Sequence, residues 1–183
     1  MIIAEFTEEM QKILSDMKGK IFLSLKGHKS KYNRFYGNFR IYLDSYAIDF
    51  KNEEQGFKFS NDEMEDMSCF SCEIVKDNAP FVPFCVGDTP NVYIINEKIV
   101  SVSLIRDEIN INNGEDEISF DVALIVKTEK QTYMFARDVW FSELITLSYS
   151  EDYDKVFSVE EVIKSWSNEG EYDVKVNRKK IDL

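Results

Sequence analysis

Ile118-Ser119-Phe120-Asp121-Val122-Ala123-Leu124-Ile125-Val126-Lys127, then Thr128-Glu129-Lys130, then Gln131-Thr132-Tyr133-Met134-Phe135-Ala136-Arg137-Asp138 is the stretch whose reading decides the fold. Two runs rich in β-branched and aromatic residues flank three polar ones, which is the spacing of a β-hairpin. The same arrangement precedes it, where Val92 to Ile95 and Ile99 to Ile105 flank Asn96-Glu97-Lys98 and predict a second hairpin. Asn112-Asn113-Gly114 supplies a further turn, because these residues tolerate left-handed backbone. Residues 144 to 149 read as another strand, and Tyr172 to Val176 as a short one ahead of a basic tail. The second half of the chain is therefore expected to be an antiparallel meander.

Moving toward the N-terminus, the period of two persists. Ile21, Leu23 and Leu25 alternate with small or polar residues, as do Phe39, Ile41 and Leu43, and then Tyr46, Ile48 and Phe50 after an Asp44-Ser45 break. A period of 3.6 occurs twice. Thr7 can cap a helix in which Glu8 and Glu9 face the positive end of the dipole and Met10, Ile13, Leu14 and Met17 form one stripe, with Gly19 after its end. Ser158 and Glu161 form a capping box ahead of Val159, Val162, Ile163 and Trp166, and Gly170 follows. Ser60 and Glu63 share that form and predict a short helical turn over 61–67, while Pro80, Pro83 and Pro90 predict a loop over 77–91. The expected fold class is α+β: one domain, 1–183, with an antiparallel sheet of meander and hairpins, open to strong curvature, and an N-terminal and a C-terminal helix packed on it.

Charge is laid out unevenly along this frame. Residues 1–43 carry eight bases and four acids, whereas residues 44–183 carry fourteen bases and thirty acids, for a net charge of −12. Such a field repels polyanions over most of the surface and attracts basic proteins. No apolar run reaches the roughly 18 residues of a membrane span, and Met1 to Met10 has three glutamates where a signal peptide needs a basic flank. A cytoplasmic protein without a membrane partner is expected. Cys69, Cys72 and Cys85 are odd in number and too few for a disulfide scaffold, which predicts reduced thiols.

Candidate chemistry is sparse. Cys69 and Cys72 have the spacing of a zinc knuckle, but the remaining ligands would have to be Cys85 and the single histidine, His28, which nothing in the sequence pairs. Phe70, Cys72 and Ile74 alternate instead as one buried strand face. No glycine elbow presents a serine to His28, and none of the seven glycines falls into a phosphate-cradling motif. Asp49-Phe50-Lys51 and Asp173-Val174-Lys175 have the form of a nuclease tail that any highly charged chain produces by chance. Neither catalytic residues nor a metal or other cofactor are assigned, and a metal-dependent enzyme is the least favoured reading.

Two surfaces remain. Lys26, His28, Lys29, Lys31, Tyr32, Arg34, Phe35, Tyr36 and Arg40 combine cations with rings and could contact nucleic acid, with Lys26, Lys29, Lys31, Arg34 and Tyr36 as the contact residues. The competing explanation places Phe35 and Phe39 in the core with the cations paired internally. The acidic segments 44–73, 107–121 and 151–161 could imitate a row of phosphates, led by Asp62, Glu63, Glu65 and Asp66 together with Glu115, Asp116 and Glu117. The sequence thus favours a small non-enzymatic interaction protein that binds and blocks a basic, nucleic-acid-handling partner. Size, acidity and an isoleucine-rich composition, eighteen Ile to nine Leu, suggest by analogy an inhibitor that a mobile element carries against a host defence nuclease. Free nucleic acid is expected to bind poorly.

Overall fold

Thr7 opens helix α1 (Glu8–Ser15) by accepting the Met10 N–H on its hydroxyl, and Glu8 and Glu9 occupy the first turn. The apolar stripe buries Leu14 and Met17 completely. Ser158 opens helix α2 (Val159–Trp166) with a full capping box, its hydroxyl accepting from the Glu161 N–H while the Glu161 carboxylate accepts from the Ser158 N–H. Val162 and Trp166 are the buried side of α2. The computed structural model describes residues 1–29, 34–76, 78–83, 89–137, 139–167 and 170–183, and the side chains of Lys29 and Tyr36 fall outside that description.

Ten strands make one mixed but overwhelmingly antiparallel sheet: β1 (Ile2–Ala4), β2 (Ile21–Lys29), β3 (Arg34–Leu43), β4 (Ala47–Lys58), β5 (Met64–Val75), β6 (Asn91–Ile111), β7 (Asp116–Thr128), β8 (Thr132–Arg137), β9 (Leu144–Ser148) and β10 (Val174–Asp182). Their order is β1-β7-β8-β9-β3-β2-β6-β10, with a further β6–β7 pairing and with β4 and β5 branching from β3. The parallel exception is β1 beside β7. The α+β class expected from the alternating patterns is what the chain adopts.

Strand β6 departs from expectation. The anticipated hairpin at Asn96-Glu97-Lys98 does not form, and the chain runs straight through as a 21-residue strand. Its first part pairs with β2, and its second with β7 and β10. Asn96 adopts φ 55°, but that left-handed backbone serves a bulge: Phe22 to Ser24 on β2 faces Glu97 to Ile94 on β6, one residue longer. The same register shift resets the inward face of β2. Phe22 and Leu25 are buried while Leu23 is exposed, so the expected row Ile21, Leu23, Leu25 is corrected by the bulge.

The helical turn expected over 61–67 is also absent. Residues 47–58 and 64–75 pair in register from Ala47↔Val75 to Lys58↔Met64 as a long hairpin. Ser60 does not cap a helix because its N–H and hydroxyl both donate to Asp116, at 3.0 and 2.7 Å, and Asp62 takes φ 66° in the turn. The basic tail is likewise ordered, as β10, opposite β6 from Val174↔Ile111 to Asp182↔Ser103.

A hydrophobic core lies on each face of the sheet. On one, Phe39 stacks between Phe50 (4.8 Å) and Phe135 (4.3 Å), with Leu124 and Val126 of β7 and the underside of α1. On the other, Met134 and Ala136 of β8 and Ile118, Phe120, Val122, Ala123 and Ile125 of β7 pack against Trp166 and Val162 of α2. A bulge at Val122, opposite the Ile105–Arg106 step, places Val122 and Ala123 on the same face. Each fully buried large side chain stabilises by about 1.5–3 kcal/mol.

Gly27 is where β2 comes closest to the aromatic core. A Cβ there would lie 2.7 Å from Phe35 Cδ1 and 3.1 Å from Phe39 Cβ, and neither ring has free space. Gly27→Ala is therefore expected to destabilise the fold by about 1–3 kcal/mol through overpacking. Denaturant melts provide the check: an unchanged midpoint would mean that the rings yield freely.

Candidate functional site

The carboxylates divide into those the fold uses and those it leaves facing solvent. Three are engaged by arginines at directly opposed positions across strand pairs, and in each pair one member, Arg40, Asp121 or Asp107, is fully buried. Arg40 meets Asp49 through Nη2 at 2.8 Å and donates to the Ala79 carbonyl at 2.7 Å. Arg106 grips Asp121 at 2.9 and 3.1 Å and reaches Glu5 at 2.7 Å, while Asp121 also accepts the Phe6 N–H. Arg178 grips Asp107 at 2.7 and 2.6 Å and extends to Asp154. Burial holds the Asp121 carboxyl above its ordinary value, against the opposing pull of its arginine and backbone donors.

Around these pairs lies a second tier of internally matched acids. Glu108 is held below the ordinary carboxylate range by Lys179 and Asn177, and Glu151 by Lys127 and Lys180. Asp152 meets Lys155, and Glu161 is spent on the helix cap. The acidic segments expected at 107–121 and 151–161 thus shrink, because Asp107, Glu108, Asp121, Glu151, Asp154 and Glu161 serve the fold.

Among the described residues, exposed acids without a paired cation occur at several places, such as Glu8, Glu9, Asp44, Glu129 and Glu160, and the densest group stands at one end of the sheet. The β4–β5 hairpin emerges from the core after Asn52, so that Glu53 and Glu54 on one strand and Glu65 and Asp66 on the other are exposed, with Asp62 and Glu63 at its tip. Ser60 ties this tip to Asp116 at the start of β7, 56 residues away in the chain, which brings the β6–β7 turn with Glu115 up to the hairpin, whereas Glu117, one residue further along the strand, faces the recess shared with Glu5 and Glu108. Of the leading acids, Asp62 has a nearby cation, Lys58 at 2.6 Å, and Glu115 accepts from Asn112. Glu143, which no sequence pattern singled out because it stands alone in the chain, extends the acidic strip. Its carboxyl is pushed up by burial and by the charges of Glu54 and Glu53, against a Glu54 N–H that favours ionisation.

The basic stretch is laid out differently. Phe35 and Phe39 are in the core, Arg40 is buried in its ion pair, and the Lys26 ammonium sits 5.6 Å from the Phe81 ring. Arg34 is half-buried on β3 opposite Thr146. Lys31, Tyr32 and the side chains of Lys29 and Tyr36 lie outside the described residues.

Cys69 and Cys72, three residues apart on β5, point to opposite faces. Cys69 packs in the α2-side core and Cys72 in the α1-side core. Two thiols so placed cannot grip one ion, and burial pushes the Cys72 thiol up to about 12, away from the thiolate that a metal needs. Cys85 lies outside the described residues. Phe70 and Cys72 are buried as expected, whereas Ile74 is exposed, since the strand edge leaves the core there. Among the described residues no three His, Cys, Asp or Glu side chains gather as a metal site requires.

Two open recesses complete the surface. One, of about 500 Å³, lies over the polar side of β7, β6 and β10 between Glu5, Glu108, Glu117 and Lys175. The other, of about 430 Å³, is walled by Tyr93, Tyr133 and Tyr149 with Glu97 and Lys130 at its rim. No protein-family model, curated protein or solved structure matches this chain.

Crowding of Glu143 by Glu53 and Glu54 has a measurable sign. A carboxyl whose folded pKa is raised opposes folding above that pKa, and the opposition fades as pH falls through it toward the ordinary value. Glu143→Gln should therefore raise the melting temperature at neutral pH, and the gain should shrink on acidification and vanish below the ordinary glutamate range. A gain that is constant with pH, or a loss at neutral pH, would show that Glu143 is not under charge stress.

Proposed function

We propose that this protein is a non-catalytic protein-binding domain that presents the acidic end formed by Asp62, Glu63, Glu65 and Asp66 with Glu115, Asp116 and Glu117 to a basic partner. The observation that supports the reading is the Ser60–Asp116 junction, which sets two sequence-distant acidic segments side by side while many of the acids elsewhere are neutralised within the fold. A cluster of carboxylates of this kind suits what a nucleic-acid-handling protein offers in its groove, Lys and Arg spaced to meet phosphates. The partner class is a basic protein, a nuclease or its nucleic-acid complex, which this domain would occupy and block in the manner of mobile-element inhibitors of host defence nucleases. A reducing, cytoplasmic setting accords with the buried free thiols Cys69 and Cys72.

The test uses the whole protein as bait at low salt, with captured proteins identified and their affinity then measured over a salt series. A variant carrying Asp62→Asn, Glu63→Gln, Glu65→Gln, Asp66→Asn and Glu117→Gln leaves Asp116 in place to hold Ser60. It should bind at least tenfold more weakly, on the order of 1.4 kcal/mol or more, and with a shallower salt dependence. Asp152→Asn with Glu160→Gln, away from this end, should bind as the parent does. Equal affinity and equal salt slope for parent and five-site variant would sink the proposal.

Free single- or double-stranded nucleic acid should bind weakly at physiological ionic strength, where screening over about 8 Å limits the reach of the cationic stretch. Sub-micromolar binding abolished by replacing Lys26, Lys29, Lys31 and Arg34 would assign the function to that stretch instead.

A further inference from the structure

Between the sheet and α2, one buried charge lacks the kind of partner the others have. The Arg137 guanidinium is 2% exposed, and among the described residues no carboxylate lies within hydrogen-bonding distance of it. Its Nη2 donates to Ser68 Oγ at 3.0 Å and to the Trp140 carbonyl at 2.7 Å. Its Nε and Nη1 meet no acceptor, and neither does the indole Nε1 of Trp166, a residue 8% exposed. Both side chains line the same small chamber, which is closed by Phe120, Val122, Phe157 and Val162 and has room for one water-sized atom, about 10 Å³.

These three nitrogens carry four hydrogens without an acceptor, and together they would forgo several kcal/mol, since each buried unpaired group costs about 1–3 kcal/mol. The wall supplies little to receive hydrogens in return. Both Asp107 oxygens already accept from Arg178, which leaves each one further acceptor site, and the Tyr153 hydroxyl spends its hydrogen on the Arg137 carbonyl. Unspent donors thus outnumber unspent acceptors, which favours a guest that only accepts over water, which must also place two hydrogens of its own. The charge argues the same way. Burial lowers the Arg137 pKa to about 10, so the group remains a cation at neutral pH, beside which stand the neutral Trp140 carbonyl and Ser68 hydroxyl and, at 4.7 Å, the face of Phe120. The volume excludes phosphate, sulfate and carboxylates.

We propose that this chamber binds a single halide ion, chloride under ordinary conditions, held between the Arg137 guanidinium and Nε1 of Trp166. The ion neutralises Arg137 and links strand β8 to helix α2, so it stabilises the docking of α2 on the sheet.

The test is independent of any partner. Melting temperature is followed as sodium bromide or chloride replaces sodium gluconate at constant ionic strength, which cancels general screening. A ligand that binds only the folded state raises stability with the logarithm of its concentration above Kd. The intact protein should show that rise with halide, Trp166→Phe should need several-fold more halide for the same shift, and Arg137→Met should not respond at all. Should Arg137→Met fail to fold, Trp166→Phe and a bromide-soaked crystal still decide, with an anomalous peak expected between Arg137 and Trp166. A water in that position with no bromide signal, or identical melting in halide and gluconate, overturns the proposal.

Discussion

Three ion pairs at directly opposed positions, each with one fully buried member, hold the sheet in register: Arg40 against Asp49 on β3 and β4, Arg106 against Asp121 on β6 and β7, and Arg178 against Asp107 on β10 and β6. A sheet with a core on each face has few other means of rejecting a slip, because Val, Ile and Phe fill either side and a slipped strand would still bury apolar surface. A slip of one residue would instead leave an unpaired charge in the core, and breaking one buried pair costs about 3–5 kcal/mol. Net stabilisation by the pairs is small in comparison, since desolvation offsets most of their attraction. Their value to the molecule lies in selecting one pairing among several. The bulge at Val122 shifts the β6–β7 register by one residue immediately before Arg106 meets Asp121.

Reserving acids for register has a consequence at the surface. A chain of net charge −12 spreads its carboxylates widely, yet most of those near the sheet centre and β10 are met by Arg or Lys across a strand. The excess is densest at the end of the β4–β5 hairpin, where Lys58 is the cation closest to the tip. Unevenness of charge in the sequence therefore becomes unevenness in space, although along a different axis. The cation-rich N-terminal segment sends Arg40 inward, and the acids are densest where two turns meet.

Local signals were read correctly wherever the partner was also local. Thr128 closes the β7–β8 turn by accepting the Gln131 N–H on its hydroxyl, Asn112, Asn113 and Gly114 all take positive φ in the β6–β7 turn, and Ser158 and Glu161 cap α2 as their spacing implies. Failures came where a distant residue outbid a neighbour. Ser60 has the same relation to Glu63 as Ser158 has to Glu161, but Asp116 takes its hydrogens. Asn96 carries turn chemistry, but β2 and β7 hold the chain straight on either side. For the candidate site, the leading acids were legible by density alone, whereas their convergence, the inclusion of Glu143 and the loss of Asp107, Glu108 and Asp121 to internal pairing depend on register that no local pattern encodes.

The register-holding pairs also differ in how far apart their members lie along the chain, at 9, 15 and 71 residues. Closing the widest requires roughly 2 kcal/mol more chain entropy than closing the narrowest, by the logarithmic dependence on loop length. The two short pairs can form within single hairpins, while Asp107 must wait for β10 to arrive beside β6. Until then its charge resists desolvation, which disfavours covering that face of β6 prematurely. The order of assembly is thereby biased, hairpins first and β10 last, so the carboxylate that secures the finished sheet also delays its sealing, and non-local closure of this sort sets a slow folding rate.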